Sequence, residues 1–144
     1  MAGYQMSISN SEGVIEFSTE KENNAHTITE VNFKMNTLDD NTTNRADAVR
    51  AEFEIKGKID KNNKTNTLKL LKWSIDSNDS TMYRDVEVVV NENANLTGSV
   101  LRRYQVKQMF VIDYEETCCN NTEGSFRLFI AQKSDNKEIK IYDT

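Results

Sequence analysis

Apolar and polar residues alternate along most of this chain, and the alternation limits the fold more than any other feature. In residues 51–59 every odd position is apolar or glycine and every even position is Glu or Lys. Successive side chains of a strand point to opposite faces, so the pattern indicates antiparallel strands with one packed and one wet face. Similar runs occur near residues 6–8, 15–17, 28–35, 86–90, 104–114, 126–130 and 139–141. We therefore predict a mainly β (α+β) fold, a small antiparallel β-barrel or sandwich of about eight strands.

One segment departs from the period of two and adds a short flanking helix to this prediction. Leu68, Leu71 and Ile75 are spaced i, i+3 and i+7, which is typical of the apolar face of a helix of about three turns. This face is expected to cover the sheet or the mouth of the barrel. Thr65 or Asn66 is expected to cap the start of the helix, and residues 78–80 to end it.

Length and charge set the class of protein. The chain has 144 residues, which predicts one domain over 1–144. Its formal charge is −5 without a basic cluster, which argues against a dedicated nucleic-acid binder. No apolar stretch is long enough for a membrane-spanning helix. The first ten residues lack a basic start and an apolar run, so no signal peptide and no stable membrane insertion are expected.

Four residues of types that often carry chemistry are interpreted here without a catalytic or ligand-binding role. Cys118 and Cys119 are the two cysteines, and being adjacent they cannot form a disulfide scaffold; two reduced thiols beside a turn are expected. His26 is the single histidine and is expected at a strand edge. A zinc site needs about four Cys or His ligands, and a triad needs a base that is usually His. No metal or cofactor is therefore expected. Trp73 is interpreted as core packing rather than a ligand platform.

Carboxylates are numerous, but their arrangement does not indicate catalysis. Asp113, Glu115 and Glu116 follow an apolar run and are interpreted as a solvated strand end. There is no glycine-rich phosphate loop, no H-E-x-x-H helix and no calcium-loop spacing. We therefore expect a protein that is not an enzyme, with a binding or structural role.

Charged residues occupy the face of several strands that is opposite the apolar one. Mixed charge on exposed strands resists edge pairing, and such a face also suits an aqueous channel wall or a contact with a neighbouring subunit. The sequence does not separate the last two uses. The candidate lumen or interface residues are Glu52, Glu54, Lys56, Lys58, Arg103, Gln105 and Lys107.

The order of the segments resembles a known family. Two N-terminal strands and a long polar loop at 36–48 come first. They are followed by IKGKI at 55–59, TLKLLKW at 67–73, YRDVEVVV at 83–90, RYQVKQMFVIDY at 103–114 and EGSFRLFIAQK at 123–133. Over residues 4–142 this order resembles the inner tube proteins of contractile injection systems and phage tails, and it is similar to the haemolysin-coregulated protein of type VI secretion. The chain lacks the proline that is usual in the loops of that family.

The resemblance implies a structural subunit that assembles as hexameric rings stacked into a tube around a lumen. It implies sheath, baseplate or spike proteins as partners, and cargo or DNA as what passes through the lumen. Assembly would take place in the bacterial cytoplasm, before the particle is released or docks on a membrane. It also implies a ring-stacking loop, formed by Asp39, Asp40, Asn41, Thr42, Thr43 and Asn44.

Two other classes of function stay open at this point. One is a monomeric β-barrel that binds a carbohydrate or lipid in its mouth, which is a common ligand site. The other is a small enzyme, for which Asp113 and Glu115 would be the best acids.

Overall fold

Eight strands and one helix make up the computed structural model, which describes residues 3–17, 27–37, 49–93, 96, 98–133 and 138–144. The strands are β1 Gly3–Asn10, β2 Gly13–Phe17, β3 Ile28–Thr37, β4 Val49–Ile59, β5 Arg84–Asn91, β6 Val100–Thr117, β7 Gly124–Gln132 and β8 Ile139–Tyr142. The helix α1 spans Lys64–Ser74, between β4 and β5. The predicted mainly β fold with one short helix is confirmed.

All eight strands belong to one antiparallel sheet. The order is β2-β1-β5-β6-β7-β4-β3, and β8 pairs with β6 beside this path. Among the described residues no ladder joins β2 to β3, so the sheet is not closed into the barrel that the alternation had suggested. The sheet nevertheless curls, because β1 and β3 contact each other across the fold.

The inward faces of the strands form the core. Phe53 and Ile55 of β4 are fully buried, as the alternation predicts. Phe53, Phe33 and Tyr104 form an aromatic cluster in which the Phe33 ring lies 4.6 Å from Tyr104 and 4.9 Å from Phe53, centroid to centroid. These spacings are typical of favourable aromatic pairs.

Strand β6 has three register shifts, and the two between residues 106 and 113 change the phase of its alternation there. The sequence predicts Ile112 on the apolar face, but its side chain is 42% exposed. Gln108 has a positive φ of 51°, and Met109 after it is fully buried. A second irregularity lies between Val111 and Asp113. An extra residue in one strand of a pair shifts all later side chains to the other face, and an alternating pattern does not show where this happens.

Helix α1 packs with a different face from the predicted one. Its buried residues are Thr67, Leu70 and Trp73, whereas Leu68 and Leu71 are exposed. Both sets have helical spacing, so the periodicity does not decide between them. The packing role predicted for Trp73 is confirmed, since Trp73 is 2% exposed and belongs to the hydrophobic core.

The helix also begins earlier than predicted. The residue before its first turn is Asn63, not Thr65 or Asn66. The Asn63 side chain is fully buried and makes no cap hydrogen bond. Its amide nitrogen donates to Thr27 Oγ1 at 3.1 Å and to the Lys58 carbonyl at 2.8 Å. The start of α1 is thereby fixed to β4 and to the residue before β3. The helix ends at Ser74, before residues 78–80.

Candidate assembly surfaces

The outward face of β3, β4, β7 and the second half of β6 carries a cluster of charges. Lys56 Nζ lies 3.3 Å from Glu30 Oε2 and 3.8 Å from Glu54 Oε1. Arg127 Nε donates to Glu54 Oε1 at 3.0 Å, and Arg127 Nη1 lies 3.6 Å from Asp113 Oδ2. The strand register places Lys56 between Glu30 of β3 and Arg127 of β7.

Of the six residues that we call the outer acidic patch, four are acids and two are bases, and Lys34 and Lys58 lie beside it on the same outward faces. It consists of Glu30, Glu54, Lys56, Asp113, Glu115 and Arg127. The hydrogen bond from Arg127 is the main reason that the pKa of the Glu54 carboxyl lies below its usual value. The same bond raises the pKa of Arg127. Because the patch is open to water, these ion pairs contribute little to stability and leave the surface available for contact.

A second charged cluster lies on the outward face of β5 and the first half of β6. Gln105 Nε2 donates to Glu87 Oε2 at 2.7 Å, and Arg103 Nη1 lies 3.4 Å from Glu87 Oε1. Lys107 Nζ lies 3.4 Å from Asp85 Oδ2. We call these residues the β5–β6 patch, in which acids and bases are equal in number.

The structure therefore divides the candidate lumen or interface residues between two surfaces. Glu54 and Lys56 belong to the outer acidic patch, and Lys58 continues their face of β4. Arg103, Gln105 and Lys107 belong to the β5–β6 patch. The partners Glu30, Asp85 and Glu87 were missed in the sequence, because which charges pair depends on strand register. The sequence signal that was available is the alternation of these residues with apolar ones.

Two further predictions have different outcomes. Glu52 faces outward on β4, but it is only 4% exposed and its Oε1 lies 3.2 Å from Arg50 Nε. It therefore does not share the exposure of Glu54 and Lys56. The ring-stacking loop, Asp39 to Asn44, lies outside the described residues, as does His26.

The residues considered for catalysis are exposed to solvent. Asp113 and Glu115 are exposed on the outer acidic patch, where Asp113 pairs with Arg127. Cys118 and Cys119 are free and exposed. Within the described ranges there is no group of three or more His, Cys, Asp or Glu side chains that could hold a metal ion. No helix in that part of the chain is both long and apolar enough to cross a membrane.

A cavity of about 400 Å³ lies between α1 and the β1–β2 hairpin. The Arg84 guanidinium lies 5.8 Å from the centroid of the Trp73 ring, and burial lowers the pKa of Arg84. Two acids, Glu12 and Asp76, act on Arg84. Asp76 also accepts hydrogen bonds from the Asn78 N–H and the Thr81 hydroxyl, which lower its pKa. Arg84 was missed in the sequence, where no local pattern marks a half-buried cation.

Comparisons with known proteins identify the class of fold. No protein-family model matches the sequence, and neither does any curated protein. Among solved structures, Hcp1 from Salmonella typhimurium is 11% identical with a TM-score of 0.59, covering 98% of this chain and 95% of that one. Hcp1 from E. coli EAEC 042 is 9% identical with a TM-score of 0.59, covering 98% of both chains.

A third similar structure is a chain of the six-fold symmetrised baseplate of the anti-feeding prophage. It is 6% identical with a TM-score of 0.52, and the match covers 96% of this chain and 91% of that one. The resemblance to the haemolysin-coregulated protein, Hcp, is therefore confirmed for the fold. This chain has the fold of Hcp1 over nearly its whole length.

Proposed function

We propose that this chain is a structural subunit of the inner tube of a contractile phage-tail-like particle or secretion system. As one tube-like domain over residues 1–144, it assembles into hexameric rings that stack around a lumen. The observation that carries the proposal is the end-to-end match to Hcp1, which covers 98% of both chains in one case. The charged, solvated outer faces also suit a subunit that presents surfaces to its own copies and to water.

The proposal extends to what surrounds the tube. Sheath, baseplate or spike proteins contact it, and cargo or DNA passes through the lumen. One of the two charged patches lines the lumen, and the other is then available for contact with a neighbouring subunit. Assembly takes place in the bacterial cytoplasm before the particle is released or docks on a membrane.

Electron microscopy of the concentrated pure protein tests the assembly. Negative staining is expected to show rings with a central hole, and stacks of rings. A field of small particles without a hole, at every concentration, would contradict the proposal.

The ring-stacking loop has a separate test. Deletion of residues 39–44 is expected to keep the rings and to remove the stacks. Tubes of unchanged length from the deletion variant would show that another segment joins the rings.

A further inference from the structure

The outer side of helix α1 is apolar although it does not serve the core. The side chains of Leu68, Leu71 and Ile75 are 46%, 38% and 76% exposed. Residues three and four apart are neighbours on a helix, so the three form one continuous ridge, which we call the outer stripe. The core already has its own set of helix residues, Thr67, Leu70 and Trp73. The outer stripe therefore lacks a partner within the described part of the chain.

The helix that carries the outer stripe is positively charged. Helix α1 contains Lys64, Lys69 and Lys72 and has no Asp or Glu. All three lysines are exposed, and none forms an ion pair within the described ranges. A surface that fits this side of the helix must combine apolar area with negative charge.

The opposite side of the same molecule has that combination. Tyr114 faces the helix, and its hydroxyl lies 3.4 Å from the Thr67 carbonyl oxygen. Asp113 and Glu115 lie on the other face of β6, because successive strand residues alternate. There they belong to the outer acidic patch, next to the exposed Ile112. Helix α1 and the outer acidic patch therefore lie on opposite sides of the sheet.

We propose that the outer stripe of one copy docks on the outer acidic patch of a second copy, and that this contact joins neighbouring subunits within a ring. This inference rests on the proposed function and names the two surfaces through which neighbouring subunits of a ring contact each other. Two different patches that fit each other form a head-to-tail contact, which closes into a ring when the rotation allows. A two-fold pairing of helix on helix would instead place the three lysines of one copy against those of the other.

Cross-linking tests this contact directly. In a background of Cys118→Ser and Cys119→Ser, one chain carries Ile75→Cys together with Glu115→Cys, and two control chains carry one of these substitutions each. A short bifunctional thiol reagent is expected to join the doubly substituted chain into a ladder of multimers. A mixture of the two control chains is expected to stop at a dimer, and each control alone to stay a monomer. A dimer from Ile75→Cys alone would show helix-on-helix pairing and would overturn the proposal.

A charge placed on the stripe separates this inference from the proposed function. The double variant Leu68→Glu and Ile75→Glu is expected to keep the far-UV circular dichroism spectrum and the cooperative melting of a folded chain, because both side chains are exposed, yet to lose the rings. The matched control Leu101→Glu changes a residue that is 45% exposed on β6 and is expected to keep them. Rings from the stripe variant as abundant as those of the wild type would overturn the inference and leave the tube function standing. A wild type that forms no rings would overturn both.

Discussion

At Gly57 the backbone of β4 passes so close to its neighbours that no side chain fits. An added Cβ would lie 2.5 Å from Phe126 Cε1 and 2.6 Å from the Thr27 carbonyl oxygen, and the carbonyl cannot move aside as a flexible side chain can. We expect Gly57→Ala to lower the free energy of unfolding by about 1–3 kcal/mol, as overpacking usually does. Urea denaturation measures this.

The matched control for this substitution is Gly124→Ala, also in the sheet. The nearest atom to its added Cβ is the Thr117 carbonyl oxygen at 3.4 Å, an ordinary contact. If both variants lose the same free energy of unfolding, the close approach of Phe126 and Thr27 is not the reason that position 57 requires glycine.

The ion pair of Glu54 with Arg127 predicts a pH dependence. Because the pKa of Glu54 is lowered in the folded protein, its contribution is fully present above the unfolded value of about 4.3 and is lost as the pH falls through the folded value. The small stability difference between the wild type and Glu54→Gln is therefore expected to hold from about pH 7 to about pH 5 and to shrink as the pH falls further, towards about pH 3. Denaturation at several pH values measures it, with Glu123→Gln as an exposed control. A difference that stays constant down to the lowest pH would contradict this assignment.

At the scale of elements, the junction of β3, β4 and α1 depends on one buried amide. Besides donating to Thr27 and Lys58, the Asn63 side chain accepts a hydrogen bond from the Asp60 N–H at 3.0 Å. We expect Asn63→Ala to lower the free energy of unfolding by about 2–3 kcal/mol, because it leaves several buried groups unsatisfied. Chemical denaturation measures the loss. The neighbouring Asn62→Ala, at an exposed position, is expected to change stability by less than about 0.5 kcal/mol, and a similar loss in both would refute the assignment.

The elements also show how far the sequence could predict the fold. The alternation on β4 correctly placed Phe53 and Ile55 in the core, because a half-buried strand must separate its two faces. It placed Ile112 wrongly, since a bulge changes the phase without a residue type that marks it. It also took Leu68 and Leu71 for the inner face of the helix, because two apolar stripes with helical spacing compete and only packing selects between them.

The sequence could predict that charged residues lie on the outward faces of the strands, but not how they group into patches. The outward positions of charges on β4 and β6 follow from the alternation, although Glu52 is only 4% exposed. Their use as a lumen wall or an interface stays a prediction. Their division into two patches depends on β7 lying between β4 and β6, and strand order is a property of long-range pairing that the local pattern does not contain.

At the scale of the whole molecule, the two sides of the sheet differ in character. One side carries α1 with its lysines and its outer stripe, and the other carries the outer acidic patch. Such a polarity has little use in an isolated chain but suits a ring of identical subunits in which each meets the next head to tail.

Since part of the contact is between exposed charges, we expect rings to be less stable at about 1 M salt, where screening is strong; sedimentation velocity measures this. Rings that are equally stable at all salt concentrations would contradict a role for the charges.

Native mass spectrometry of the purified chain tests the central claim, that this protein works by assembling with identical copies, most directly. We expect one dominant species that contains six copies of the 16.5 kDa chain, with multiples of six where rings have stacked. A single chain as the dominant species at every protein concentration would contradict the account.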